Sequence, residues 1–188
     1  MILHGISLPD ISDYHNLNDI FIIFFAILMM EVGLIFSVRY IPALFGDLYK
    51  TLNEWYSTFQ FTAVISDVLI ILLMFIIARY MYTLWIKPRY GWNPLIFVGL
   101  LVGLQIMREL LFYLTAILPI PFGKNQLIDL FKQYSMRATP KIIGGNILLI
   151  SIAALIAFYY KTQPMHILVT ASVLALYNIT YVLYTRQT

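Results

Sequence analysis

An arginine and a glutamate stand side by side, Arg108-Glu109, well inside the apolar run NPLIFVGLLVGLQIMRELLFYLTAIL at 93–118. That run is long enough to cross a bilayer as a helix. A charge in hydrocarbon costs about 2.5–3.5 kcal/mol even on a lenient insertion scale, so Arg108 needs an anion, a lipid phosphate or water. Two carboxylates in other apolar runs qualify as partners, Glu31 in 20–38 and Asp67 in 59–85. The guanidinium offers five donors and can hold one of these carboxylates through two parallel hydrogen bonds. Glu109 points about 100° away around the same helix, so a different group is expected to satisfy it. Three carboxylates against one guanidinium leave two negative charges uncompensated, so at least one carboxyl holds a proton unless a cation or water enters. Asn146 and Asn178, in the last two apolar runs, offer both donors and an acceptor and can bridge such a cluster.

The elements that must position these groups follow from composition and periodicity. The 188 residues are 61% hydrophobic and 11% charged, with mean hydropathy +0.84. Soluble domains carry about 25% charged residues, so the chain belongs in a bilayer. Five apolar runs at 20–38, 59–85, 93–118, 142–160 and 165–184 predict an all-α, polytopic transmembrane bundle forming one membrane domain over 1–188. Between them, 41–57 and 125–137 place apolar residues at helical spacing with a polar opposite face, predicting two amphipathic helices lying on the membrane surface. The segment 1–19 holds Asp10, Asp13 and Asp19 but no Lys or Arg, which fits neither a secretory signal nor a transit peptide. Gly99 and Gly103, and Gly144 and Gly145, are spaced for close helix packing. Arg79, near the end of its run beside Tyr80, Tyr82 and Trp85, reads as a side chain that snorkels to the interface.

Orientation follows from the loops. With the N-terminus outside, the inner side carries seven basic residues, Arg39, Lys50, Lys124, Lys132, Arg137, Lys141 and Arg186, and the outer side three, Lys87, Arg89 and Lys161. Positive residues favour the inner side, which predicts N-out/C-in. Counting 1.5 Å per residue from the inner ends puts Glu31, Asp67, Glu109 and Arg108 at roughly 11 to 15 Å and both asparagines near roughly 9 Å, one polar slab drawn from five helices.

The same residues exclude several chemistries. There is no cysteine, which removes thiolate metal sites, disulfides and cysteine nucleophiles. His4 and His15 lie in the N-terminal segment and His166 at a helix start, so no bis-histidine haem site spans the bundle. Asp67 is the only aspartate within a predicted span, and Ser66 and Ser151 have no nearby histidine base, so no enzyme class, cofactor or metal is implied. The basic residues are scattered and form no nucleic-acid surface. Lys124, Lys132, Arg137 and Lys141 are placed to meet anionic lipid or a partner.

The stretch GLQIMRELLFYLTAILPIPFGKNQLIDLFKQYS, the later KIIGGN and the terminal YNITYVLY resemble uncharacterised multi-span proteins encoded by large DNA viruses of algae and protists. The resemblance covers 93–188, about half the chain, and implies a viral membrane setting. Two functions compete. One is a structural or assembly protein that sits in a bilayer with other membrane subunits or its own copies and uses the slab to fix helix register. The other is a small proton- or ion-coupled transporter or channel using Glu31, Asp67, Arg108 and Glu109.

Overall fold

The computed structural model describes residues 8–184 and, within them, every side chain except those of 134–140. His4, Tyr134, Arg137 and Arg186 therefore lie outside the described residues. The described chain is all-α, with helices α1 (Asn18–Tyr40), α2 (Leu48–Met81), α3 (Lys87–Tyr90), α4 (Pro94–Phe112), α5 (Gln126–Lys161) and α6 (Met165–Tyr184). Single π-helical turns, Tyr82–Ile86 and Tyr113–Ile117, extend α2 into α3 and prolong α4. Five segments are long and apolar enough to cross a membrane: Asn18–Tyr40, Leu48–Tyr90, Pro94–Ile117, Lys141–Lys161 and Met165–Tyr184.

The helix starts follow local chemistry. Asn93 precedes Pro94 and its side-chain oxygen accepts from the amides of Leu95 and Ile96, at 3.0 and 3.3 Å. Asn125 does the same for Leu127 and Ile128, at 2.9 and 3.2 Å. Each cap satisfies amides that a first helical turn leaves without partners.

α1 is the centre of the bundle, packed against α2, α5 and α6, while α4 closes the far side against α5 and α2. Its buried face carries Ile23, Ala26, Ile27, Met30, Ile35 and Val38. The small residues Ala153, Ala154 and Ala157 of α5 are completely buried, which lets backbones approach closely, as membrane helix packing requires.

The two amphipathic segments are present, but each is joined to a span. The second forms the first part of α5, continuous through Pro140 into the span. The first begins at Leu48, after a 3-10 turn at Pro42–Leu44, and runs into the second span through one distorted residue, Gln60, with φ 48° and ψ −125°. No glycine or proline lies between Leu48 and Pro88 to stop the helix. The turn at Gln60 is sharp. Trp55 Nε1 donates to Asp67 Oδ2 at 2.9 Å, yet twelve residues of straight helix would separate the two positions by about 18 Å. The segment is also less superficial than its pattern predicts, because Thr51, Trp55 and Tyr56 are buried against the body of the protein.

The glycines behave differently from expectation. A Cβ built at Gly99, Gly103, Gly144 or Gly145 would meet nothing within 4 Å, so within this chain none of them permits a close helix approach. The buried alanines of α5 take that part instead.

Gln60 holds a left-handed conformation that only glycine adopts without strain, at a cost of about 1–3 kcal/mol. Gln60→Gly is expected to raise the midpoint of thermal unfolding in detergent, and Gln60→Val to lower it. An unchanged midpoint in both variants would show that no strain is held at this turn.

Candidate functional site

The predicted slab resolves into two adjoining groups of side chains. In the first, Glu31 of α1 is 1% exposed and its Oε1 accepts from Tyr56 Oη at 2.7 Å. Asp67, on the far side of the Gln60 turn, accepts from Trp55 at 2.9 Å. The Glu31 and Asp67 carboxyls are within hydrogen-bonding reach of each other. Consecutive residues of the folded-back part of α2 thus each reach one carboxyl of the pair. Two ionised carboxylates have only acceptors, so a hydrogen bond between them requires a proton on one.

In the second group, Glu109 Oε1 accepts from Gln105 Nε2 at 2.9 Å and from Asn146 Nδ2 at 2.8 Å, with Arg108 Nη2 at 3.6 Å. This corrects the expected pairing. Arg108 meets its own neighbour, since its long stem swings along the helix, and no bidentate pair with Glu31 or Asp67 forms. Its charge still acts on Asp67 as well as Glu109, so the two groups share one electrostatic environment. Gln105, which the pattern of charges does not single out, belongs here. It is 4% exposed, and its Oε1 has no donor among the described residues.

Asn178 is not part of the slab. It is exposed and donates to Leu174 O of its own helix at 2.9 Å. Depth along a helix, which the count from span ends supplies, says nothing about the direction a side chain faces. The basic residues named for lipid or partner contact also differ from one another. Lys141 pairs with Asp47 at 2.8 Å, and this bond holds the exposed Asp47 carboxyl below its ordinary range. Lys132 sits 5.0 Å over the Phe122 ring, and Lys124 is exposed.

A second polar centre lies at the opposite end of the bundle, where sequence reasoning places only a snorkelling arginine. Arg79 is 1% exposed. Its Nη2 lies 3.9 Å from Asp19 Oδ2 and donates to Asn16 O at 2.7 Å and to Asp13 O. Lys161, at the end of α5, pairs with the other oxygen of Asp19. The residues before α1 are strapped across this end. Thr83 Oγ1 donates to Ser12 O at 2.8 Å and accepts from Tyr14 N at 3.0 Å, and Trp92 Nε1 donates to Leu8 O at 2.8 Å. Lys87 pairs with Asp10 at 2.8 Å, and Ile11 and Ser12 are completely buried. The signal for this centre was available in the alternation of the spans, which puts Asp19, Arg79 and Lys161 at one end of the bundle.

A cavity of about 270 Å³ has Glu54, Phe59, Gln126 and Asp129 in its wall. Phe59 lies with its ring centroid 4.9 Å from that of Trp55, so two aromatic side chains separate the cavity from Asp67. Among the described residues, no three His, Asp or Glu side chains converge as a metal site. Comparison with models of known families, with characterised proteins and with solved structures finds no match to this chain.

Breaking a buried ion pair costs about 3–5 kcal/mol because a charge is left without compensation. Arg79→Met is expected to fall in that range, and Arg108→Leu to cost less, since Arg108 is 27% exposed and Glu109 keeps two amide donors. Chemical denaturation of both variants in one detergent checks the order, and the reverse ranking would contradict these assignments. The strap has its own pH dependence. Burial pushes the Asp10 carboxyl up, but hydrogen bonds from Lys87 and Ser12, with the Lys87 charge, bring it below its ordinary value. A depressed folded-state value means that the contribution is present above the usual aspartate pKa of about 3.9 and is lost as pH falls below it. Proteolysis within 8–17 should therefore accelerate below about pH 4, and Asp10→Asn should show the fast rate at neutral pH.

Proposed function

We propose that this protein is a structural or assembly subunit of a membrane, oriented N-out/C-in, whose buried polar groups brace the bundle. The observation that carries this reading is that Glu31, Glu109 and Asp19 each take a bond from a different helix, Tyr56 of α2, Asn146 of α5 and Lys161 of α5. Such bonds fix helix register, the best-attested use of buried polar groups. The exposed stripe of Gly99 and Gly103 on α4, open within the chain, supplies a face on which a helix of another subunit or a second copy can pack closely. The resemblance over 93–188 adds a viral membrane as the proposed setting, and the excess of basic residues on the inner loops supports the orientation.

The cavity beside Phe59 favours a second reading, a proton- or ion-coupled transporter that reaches the slab from that side. Two experiments separate the readings. If the assembly reading holds, Gly99→Leu with Gly103→Leu will reduce oligomers seen by crosslinking in native membranes while monomer folding is retained. Liposomes holding the purified chain will stay tight to protons and monovalent cations under a pH gradient. A flux abolished by Glu109→Gln would replace assembly with transport. Single cysteines at His15 and Lys124, both exposed, should label from opposite sides of the membrane, with His15 outside.

A further inference from the structure

The carboxyl pair is built differently from the other charged centres of the bundle. Asp19 and Glu109 each have a cationic partner, Lys161 and Arg79 in one case and Arg108 in the other. Glu31 has none. Its contacts are the Tyr56 hydroxyl and the second acid, Asp67. Both donors to the pair, Tyr56 and Trp55, come from the short helix that folds back at Gln60.

We propose that Glu31 and Asp67 form an exchangeable proton-binding site, in which one proton is held between the two carboxyls and closes α1 onto α2. The shared proton lets one carboxyl donate to the other, which two ionised carboxylates cannot do. On release it passes to water, leaving two carboxylates that repel across the α1–α2 contact and are held only by the Tyr56 and Trp55 donors.

The described ionisable groups facing the pair are consistent with this. α2 contributes Tyr56 and α4 contributes Arg108 and Glu109, which compensate each other. Of the described charged residues of α5, Lys141 is taken by Asp47 and Lys161 by Asp19, and the helix presents the neutral Asn146 to the slab. The ionisable residues of α6, His166, Tyr177, Tyr181 and Tyr184, are all exposed. Among the described residues, Arg108 is the cation that acts on the pair.

An independent observation points to exchange with water. Gln105 is 96% buried, donates from its amide nitrogen into the slab at Glu109, and leaves Oε1 without a donor among the described residues. A buried acceptor of this kind costs about 1–3 kcal/mol unless a donor reaches it, and water entering the slab is such a donor. The cavity walled by Phe59 lies on the Trp55 side of the pair, with these two aromatic side chains between them.

Infrared difference spectra of the full chain in lipid nanodiscs, stepped from neutral to alkaline pH, test the site through the C=O stretch of a protonated carboxylic acid. The expected result is one such band, lost on alkalinisation, and absent at every pH in both Glu31→Gln and Asp67→Asn, because an amide N–H supplies the donor that the proton otherwise provides. Glu109→Gln should leave the band in place. Absence of the band in the native chain, its survival in both variants of the pair, or its loss in Glu109→Gln would each overturn the proposal. Should a variant not fold, the native chain with isotope-labelled glutamate and aspartate carboxyls gives the answer alone. One Glu and one Asp signal must then titrate together, and independent titration would refute the site. The readout is separate from oligomerisation and from flux, so its failure is distinguishable from failure of the assembly reading.

Discussion

Two carboxylates on one central helix govern how this bundle is put together. α1 carries Asp19 near its start and Glu31 past its middle, and both are almost completely buried. Neither can be left alone in an apolar surrounding, where an uncompensated ion costs several kcal/mol. Asp19 draws in Arg79 from α2 and Lys161 from α5. Glu31 draws in Tyr56 and Asp67, which lie on opposite sides of the turn in α2. The helices that pack on α1 thus include those that answer its charges, and apolar contact alone would not choose among the possible rotations of these helices.

The unusual backbone follows from the same demand. A straight α2 would carry Trp55 and Tyr56 far from Asp67 and Glu31, so the chain bends at Gln60 and accepts a conformation unfavourable for a residue with a side chain. At the other end, Arg79 is buried and its Nη2 donates to carbonyl oxygens of the residues before α1. Those residues consequently form a fitted cover, with Ile11 and Ser12 buried and contacts from Tyr14 to Thr83, just past α2, and from Trp92, just before α4, to Leu8.

The spans were readable in the sequence because hydropathy is summed over about twenty residues and survives local error. So was the membership of Glu31, Asp67, Arg108, Glu109 and Asn146 in one layer, since rise per residue converts sequence position into depth. Azimuth was not readable. Asn178 has the right depth and the wrong direction, and Arg108 bends to its neighbour although the two Cβ atoms diverge. Gly99 and Gly103 look like packing residues, but the pattern does not say which helix would pack on them. Arg79 departs from the snorkelling expectation because that rule treats a residue near a span end as exposed to the interface, while the preceding segment here covers that end. Gln60 gave no warning, for no glycine or proline marks the turn.

The strap and the Asp19 centre also have a consequence for the order in which the protein is made. Asp19 is among the first residues of α1 to leave the ribosome, yet Lys161 follows it by 142 positions. Glu31 waits for Tyr56, 25 positions later, and then for Asp67 beyond the bend. Synthesis proceeds from the N-terminus, so the first span enters the membrane with both acids unmatched, and its final seat exists only once α5 has crossed. The helix at the centre of the finished bundle is made before the four spans that follow it and is the last to be completed.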